Sequence, residues 1–587
     1  MIHQAIGKWR GNILTLALAL PFICVFGIFP SPTACGQSLS WIAWGLAVLL
    51  LPSCTLGAMA RNLKPLLIFF AVFGFAVLVS AAILKIPLDY TYATLGFIAG
   101  ALCVLYLGAA GGASPQAASL FNVICRSLIL AGMFNAVVGI LQVYASELTD
   151  GTLMVESHLR GRATGNTRQP NHLAYLLLWS MAAIAATVEA EVLRRRWAVP
   201  MLFTLSFALV LSASRTGLLG LILLTAWAFF DPGTGRKGRN MLRLTPLLFA
   251  AAWLLALALA GQKGIDLGAQ TRLADGASSP PRMVLLRDAW QLMREHMYWG
   301  VGWGEFNFVW TLTPTAVRTK HHFDNLHNII LQWSVELGIP VAIMLTGLIS
   351  WAFVRAFRLS KADSNIPRRG CLTYKRYAFL MAALMIVPSL LEYPLWYAFF
   401  LFPTVFMLGF CLAPAAAIVR KPGVNALGQG IVGLLMIFGG VFIAYDFSKV
   451  VQVFQPPAHG EAAPLQERLA IGNSSVFFSN WANYGGARRL RTGKDAELAA
   501  EYASHGVIDT RLLVAWIKSL HEIGDDKRAR YLAARLAEFN DEQAKKLLAP
   551  CKDELSAAQA FQCGPAVDEL SYRDFRTLRW PANESHK

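Results

Sequence analysis

Between residues 12 and 445 the sequence returns repeatedly to apolar runs of about 20 residues with hardly a charge in them. In lipid such a run has one stable form, a helix, because only a helix satisfies its own backbone where water is absent. The runs lie near 12–30, 39–59, 65–84, 91–112, 118–144, 172–188, 197–212, 215–230, 245–260, 337–354, 376–391, 395–413 and 427–445, predicting about thirteen membrane helices. Only Ala213 and Ser214 separate the two shortest. An all-α polytopic membrane protein is the expected fold class, and a soluble enzyme is excluded.

Charge divides the chain at the same place as hydropathy. Residues 1–445 carry 33 Lys and Arg against 16 Asp and Glu, whereas residues 446–587 carry 19 of each. The first part is expected to be the membrane domain and the second a water-soluble tail. The pI of 9.6 does not imply nucleic acid as a partner, because the basic excess sits between apolar segments. Alternate connections hold Lys8 and Arg10, Arg61 and Lys64, Arg194–Arg195–Arg196, Arg236 to Arg243, seven basic residues from Arg355 to Arg376, and Arg420 with Lys421. Basic clusters mark the cytoplasmic side, which predicts an inside N-terminus and, with an odd number of spans, a tail on the outer face. The first apolar run follows Lys8 and Arg10 like a signal peptide but is long and soon followed by another, so it is taken as an uncleaved helix.

Two loops assigned to the outer face, 145–171 and 261–326, break the bias: they hold Arg160, Arg162, Arg168, Arg272, Arg282, Arg287, Arg294 and Arg318. Cations on that face fit an anionic ligand there. Arg162, Asn166, Arg168, Gln169, Asn171 and His172 crowd the entrance to the sixth run, with Pro170 suited to a first helical turn. Amide donors at a helix start favour anions, and carboxamides suit sugar hydroxyls. Ser214-Arg215-Thr216-Gly217 is a tight turn that holds an arginine at the membrane surface, where its guanidinium can fork onto phosphate.

Further along, Arg282 follows Pro280–Pro281 and opens an amphipathic helix. The Gly300–Gly304 run is no nucleotide loop, since no strand precedes it. His321, His322 and His327 precede Asn328 and an apolar helix that carries Glu336 and Gly338. No second ligand pair has metal spacing, so no metal is predicted, and a His beside Arg-rich loops suits a general base. Glu392, Tyr393 and Tyr397 form another outward turn. In the tail, Leu512, Leu513, Trp516, Ile517 and Leu520, then Ala529, Leu532, Ala533, Leu536 and Phe539, show helix spacing around Gly524–Asp525, like one tetratricopeptide-type hairpin. Cys551 and Cys563 in this tail can pair.

Taken together these residues resemble the bacterial O-antigen ligases and O-linked oligosaccharyltransferases. His327-Asn328 with Glu336 and Gly338 resembles that family's outer-loop histidine motif, and Ser214–Gly217 its short arginine turn. Gly165-Asn166 followed by Gln169–His172, and Leu391–Tyr397, resemble its protein-glycosylating branch. The resemblance spans roughly residues 150–410 and departs from the pattern in the extra His321-His322 pair. It implies a GT-C-like fold in the bacterial inner membrane, with the active site and tail periplasmic. It also implies an inverting, metal-independent transfer, without cofactor, of a glycan from undecaprenyl diphosphate to Ser or Thr of an exported, pilin-like protein. Carried over, His327 is the base, Arg215 and Arg282 bind the diphosphate, and Asn166, Gln169, Asn171 and His172 face the sugars. Arg162, Arg168, His322, Asn328, Glu336, Glu392, Tyr393 and Tyr397 complete the substrate-binding set. Within the same chemistry, ligation to lipid A-core and repeat-unit polymerisation are the alternatives. A flippase is disfavoured because the spans hold almost no ionisable residues and no internal repeat is visible.

Overall fold

The computed structural model describes residues 2–24, 28–50, 60–84, 86–151, 153–268, 280–315, 317–319, 322–361, 369–413, 424–455, 463–490, 493–553, 557, 559–565 and 569–576. Every regular element among these is helical. The first nine helices are α1 (Ile2–Ile23), α2 (Ala34–Leu50), α3 (Ala60–Leu84), α4 (Leu88–Ala113), α5 (Ala117–Tyr144), α6 (Pro170–Glu189), α7 (Arg195–Ser212), α8 (Arg215–Phe230) and α9 (Arg236–Lys263). Then come α10 (Pro280–Glu295), α11 (Phe306–Leu312), α12 (Ile329–Leu337), α13 (Ile339–Lys361), α14 (Arg369–Ile386), α15 (Ala398–Leu412) and α16 (Val424–Phe454). The tail adds α17 (Leu465–Asn473), α18 (Ser479–Arg489), α19 (Lys494–Ser504), α20 (Thr510–Glu522), α21 (Asp526–Phe539) and α22 (Glu542–Leu547).

Each apolar run read from the sequence is occupied by one helix, α1 to α9 and α13 to α16. Among the described residues, seven of these (α3, α4, α5, α6, α9, α13 and α16) are long and apolar enough to cross a membrane, while Trp9–Ile23 of α1, α2, α8 and α15 are shorter apolar stretches. The thirteen expected spans are therefore thirteen helices of unequal length. The end of the second run, 51–59, lies outside the described residues.

The chain divides into two compact units. The first comprises 1–70, 97–278 and 347–444. Its axis is α6, with 94% of its apolar window buried, packed against α5, α7, α8, α9 and α14. Close approach of the helices does what the hydrophobic effect cannot do in lipid. Ser180 Oγ donates to Leu128 O of α5 at 2.7 Å, and Trp179 Nε1 donates to Met381 O of α14 at 2.8 Å. Gly217 lets α8 touch α6, since a Cβ there would stand 2.7 Å from Ala174 Cβ. A buried ion pair, Arg376 to Asp231 at 2.7 Å, is roofed by Trp227 with its centroid 4.6 Å from the guanidinium.

The second unit comprises 71–96, 279–346 and 445–587. This differs from the division at 445: the segment carrying the histidines packs with the tail. The expected hairpin is present as α20 and α21, with Gly524 at φ 85° and Asp525 capping Arg528 N at 3.0 Å. Its buried residues share one core with Leu285, Ala289, Leu292, Phe306, Val309, Trp310 and Leu312. Polar links fasten the two: Tyr531 OH donates to Leu312 O at 2.6 Å, and Arg318 Nε donates to Glu538 Oε2 at 2.8 Å. Glu305 is 2.9 Å from His505 Nδ1 and 3.2 Å from Arg576 Nη2. Burial works to raise the Glu305 pKa, but these two partners prevail and hold it below the usual carboxylate value. Cys551 and Cys563 form a disulfide.

Candidate functional site

Two polar clusters stand out, one in each unit. The first surrounds the entrance to α6. Pro170 takes the first helical position, where its missing N–H leaves nothing unmade. Before it, Arg168 is held at φ 60°, which an L side chain rarely adopts. The loop is fixed by two buried amides of α5. Asn135 Oδ1 accepts from Asn166 N at 2.8 Å, and Gln142 Oε1 accepts from Thr164 N at 2.8 Å and Gly165 N at 2.9 Å. Arg162 joins the loop to the α7–α8 turn, donating from Nε and Nη2 to Ser212 O at 3.2 and 3.1 Å.

That turn reverses at Ala213, φ 50°, and Ser214 caps α8 by accepting from Gly217 N at 3.0 Å. Ser214 Oγ also donates to Asn171 Oδ1 at 2.7 Å and lies 3.1 Å from Thr216 Oγ1, which accepts from Tyr175 OH at 3.1 Å. This network fixes the backbone beneath Arg215, an exposed residue on the first turn of α8. His172 is buried edge-on to Tyr397 at 4.6 Å and Phe400 at 5.4 Å, with Tyr393 6.2 Å from Tyr397. Buried Glu392 is within electrostatic range of His172.

Among the described residues, three atoms here are sealed from solvent and make no hydrogen bond: Arg168 Nε, Gln169 Oε1 and His172 Nδ1. Each such group costs roughly 1–3 kcal/mol when left unmade. A polar ligand with both donors and acceptors can supply the partners these three lack.

The second cluster is the histidine loop. Asn328 caps α12, its side chain accepting from Ile330 N and Leu331 N at 3.0 Å each. His327, one residue earlier, is left-handed at φ 51°, with its N–H donated to Asn325 Oδ1 at 3.0 Å. Its half-buried ring stands edge-on to Phe323 at 5.8 Å. Asn307 of α11 organises the surroundings. It donates to Asp324 Oδ1 at 3.2 Å and Ile508 O at 3.3 Å, and its Oδ1 accepts from Thr311 at 3.1 Å and lies 2.8 Å from His322 Nε2. Burial pushes the His322 imidazole down to about 4, against the pull of Asp509, so it is neutral near pH 7. Burial likewise pushes Glu336 up to about 8, so it keeps its proton, and its Oε1 accepts from Phe306 N at 3.2 Å. Gly300 lets the chain pass close to the backbone of this residue: at φ 69°, a Cβ would stand 2.3 Å from the Glu336 carbonyl carbon. Half-buried Arg282 lies in the first turn of α10. His321 lies outside the described residues. Among the described residues, no three His, Cys, Asp or Glu side chains gather to hold a metal ion.

Residues 200–346, which include Arg215, Arg282 and the histidine loop, match the O-antigen ligase family, and residues 376–549 match the C-terminal part of virulence-factor membrane-bound polymerases. Two curated relatives come from Acinetobacter baylyi. A general O-oligosaccharyltransferase is 24% identical over 279 residues, 44% of this chain and 46% of that protein. A ComP-specific O-oligosaccharyltransferase is 22% identical over 268 residues, 45% of this chain and 46% of that protein. These matches support the chain as a member of the O-antigen ligase and O-oligosaccharyltransferase family. Its members are glycosyltransferase-like enzymes, and the match to each relative spans less than half of that relative's length.

Against the site read from sequence, the structure groups Arg168, Gln169, Asn171 and His172 with Glu392, Tyr393 and Tyr397, beside the Arg215 turn. It gives other expected substrate contacts different work. Asn166 is fully buried and engaged: Nδ2 donates to Ile23 O and Leu153 O at 2.7 Å each, and Oδ1 accepts from Val155 N at 3.1 Å. It braces the loop, as Arg162 does through Ser212 O. Asn328 is occupied as a cap. His322 is packed 5.4 Å from Phe539 and 5.8 Å from Trp310, and Glu336 lies under the Gly300 turn, so both support the loop from within. Reading from sequence passed over Asn135, Gln142 and Asn307. A buried carboxamide in an otherwise apolar helix is the signal that marks the first two.

Proposed function

We propose that the protein is an O-oligosaccharyltransferase that moves a glycan from undecaprenyl diphosphate to a Ser or Thr hydroxyl of an exported, pilin-like protein, on the periplasmic face of a bacterial inner membrane. The observation that carries this reading is the histidine turn. His327 is held left-handed immediately before a capped helix, inside the segment that matches the O-antigen ligases. In this reading His327 takes the proton of the acceptor hydroxyl, whose oxygen attacks the anomeric carbon from the side opposite the phosphate. The sugar–phosphate bond breaks with its electron pair going to the diphosphate, so the configuration inverts. Arg215 and Arg282 bind that diphosphate and stabilise the charge it gains. Arg168, Gln169 and His172 take the sugar hydroxyls, which both donate and accept and so match that unpartnered set. The disulfide in the tail supports an oxidising compartment.

The test is transfer in vitro with purified protein, lipid-linked glycan and an exported acceptor. Wild type adds a glycan mass to the acceptor, with or without a chelator. His327→Ala abolishes detectable product while donor binding, measured separately, is kept. A chelator that stops the reaction, or a fully active His327→Ala, overturns the reading. The match of 376–549 to polymerases favours repeat-unit polymerisation as the second reading. It is recognised by a ladder of lengthening lipid-linked glycans without acceptor product.

A further inference from the structure

Helix α10 has two apolar faces, and only one of them has a protein partner. Leu285, Ala289 and Leu292 lie in the core of the second unit. On the opposite face Met283, Leu286 and Trp290 point outward, Trp290 with 59% of its surface open. The same surface continues past the helix end through Met297, Tyr298 and Trp299, the last two 69% and 73% exposed. Exposed Arg287 and Arg294 flank the apolar row. The acids of the helix are engaged: Asp288 is buried, with Oδ2 accepting from Trp310 Nε1 at 3.1 Å and Oδ1 accepting from Arg287 Nη2 at 3.2 Å, and Glu295 accepts from Gln291 at 2.9 Å.

The location of this surface is set by a hydrogen bond. Ile339 N, at the first residue of α13, donates to Met297 O at 2.8 Å. α13 is one of the helices long and apolar enough to cross a membrane, and its first turns expose Ile343 and Met344. The aromatic patch thus adjoins the start of α13, whose first turns expose apolar side chains. Trp and Tyr favour this depth, where a ring can be half in hydrocarbon, and Arg can bury its stem while its guanidinium reaches phosphate.

We propose that α10 and the turn after it form an interfacial membrane anchor. The outward face lies among the phospholipid headgroups of the leaflet where α13 begins, with Trp290, Tyr298 and Trp299 inserted and Arg287 and Arg294 on lipid phosphates. The anchor holds the histidine-bearing unit at the membrane surface, and it stands whether or not the reaction assigned above is correct.

The test places a nitroxide at position 290 through a non-natural amino acid, which leaves the native cysteines untouched. The full-length protein is reconstituted into phosphatidylethanolamine–phosphatidylglycerol vesicles, with a label at exposed Lys518 as reference. Collision with dissolved oxygen and with a water-soluble nickel chelate is then measured. The expected result is a nickel collision rate several-fold lower at 290 than at 518, with oxygen collisions raised. Equal nickel access at both sites overturns the proposal, because the face then lies in water. A label immobilised and shielded from both reagents also overturns it, because a second copy or another protein then covers the face.

Discussion

Arginine and lysine are not interchangeable on a diphosphate. A guanidinium presents parallel N–H donors to two oxygens, whereas an ammonium is a point charge. Arg215→Lys is therefore expected to lose most transfer activity in well-expressed protein, and normal turnover would leave Arg215 only an electrostatic role. The histidines separate by environment. His327→Ala should cost at least the ~10²–10⁴-fold that general-base assistance typically supplies. His322→Ala removes a packed ring and a partner of Asn307, so it should lower thermal stability by about 1–3 kcal/mol while sparing chemistry in the protein that stays folded. Transfer by each variant, normalised to folded protein, distinguishes the two. Glu336 adds a pH signature. Its carboxyl ionises near 4.5 in an unfolded chain and near 8 in the fold. Between those values the folded state holds a proton the unfolded state has released, so this group's contribution to stability falls as pH rises through that window. Glu336→Gln should match wild type in melting temperature near pH 4, gain on it progressively toward pH 8.5, and retain transfer activity. An equal melting difference at both ends would show that Glu336 does not titrate in that window.

At the scale of elements, helix positions were legible and partnerships were not. Every apolar run became a helix because hydropathy over about 20 residues is a property of the run itself. The α20–α21 hairpin was legible for the same reason, from its own spacing. What the loop 279–346 packs on was hidden, since Phe306, Trp310 and Leu312 read locally as scattered loop hydrophobes, and nothing nearby names Trp516 or Phe539 as core partners. Within the α6 entrance, Asn166 and Gln169 look alike in sequence. Only the positions of Ile23, Leu153 and Val155 show that one is engaged while the other keeps a bare acceptor. The shared core gives its own prediction. Trp516→Ala should cost about 3–5 kcal/mol in the second unit, as truncations of large buried rings do. It should also make the bonds after Arg287, Arg294 and Arg318 more sensitive to trypsin, although all three lie far from it in sequence. Unchanged cleavage of that loop would mean that the tail and the loop fold independently.

Across the whole molecule, the account gives each unit one polar cluster and makes the tail a structural companion of the histidine loop. Reporter fusions at Lys421 and Lys587, both outside the described residues, should report opposite faces. The same face for both would remove the last span and the exported tail with it. The central claim is that a glycan goes from a lipid diphosphate to a protein hydroxyl with His327 as the base. It is tested most directly by intact-mass analysis of exported proteins from cells carrying the wild-type gene, no gene, or His327→Ala. The account predicts a glycan-sized increment on a Ser or Thr of an exported protein that disappears without the gene and is not restored by His327→Ala. Protein masses identical in all three strains, with the change confined to the cell's lipid-linked saccharides, would contradict it.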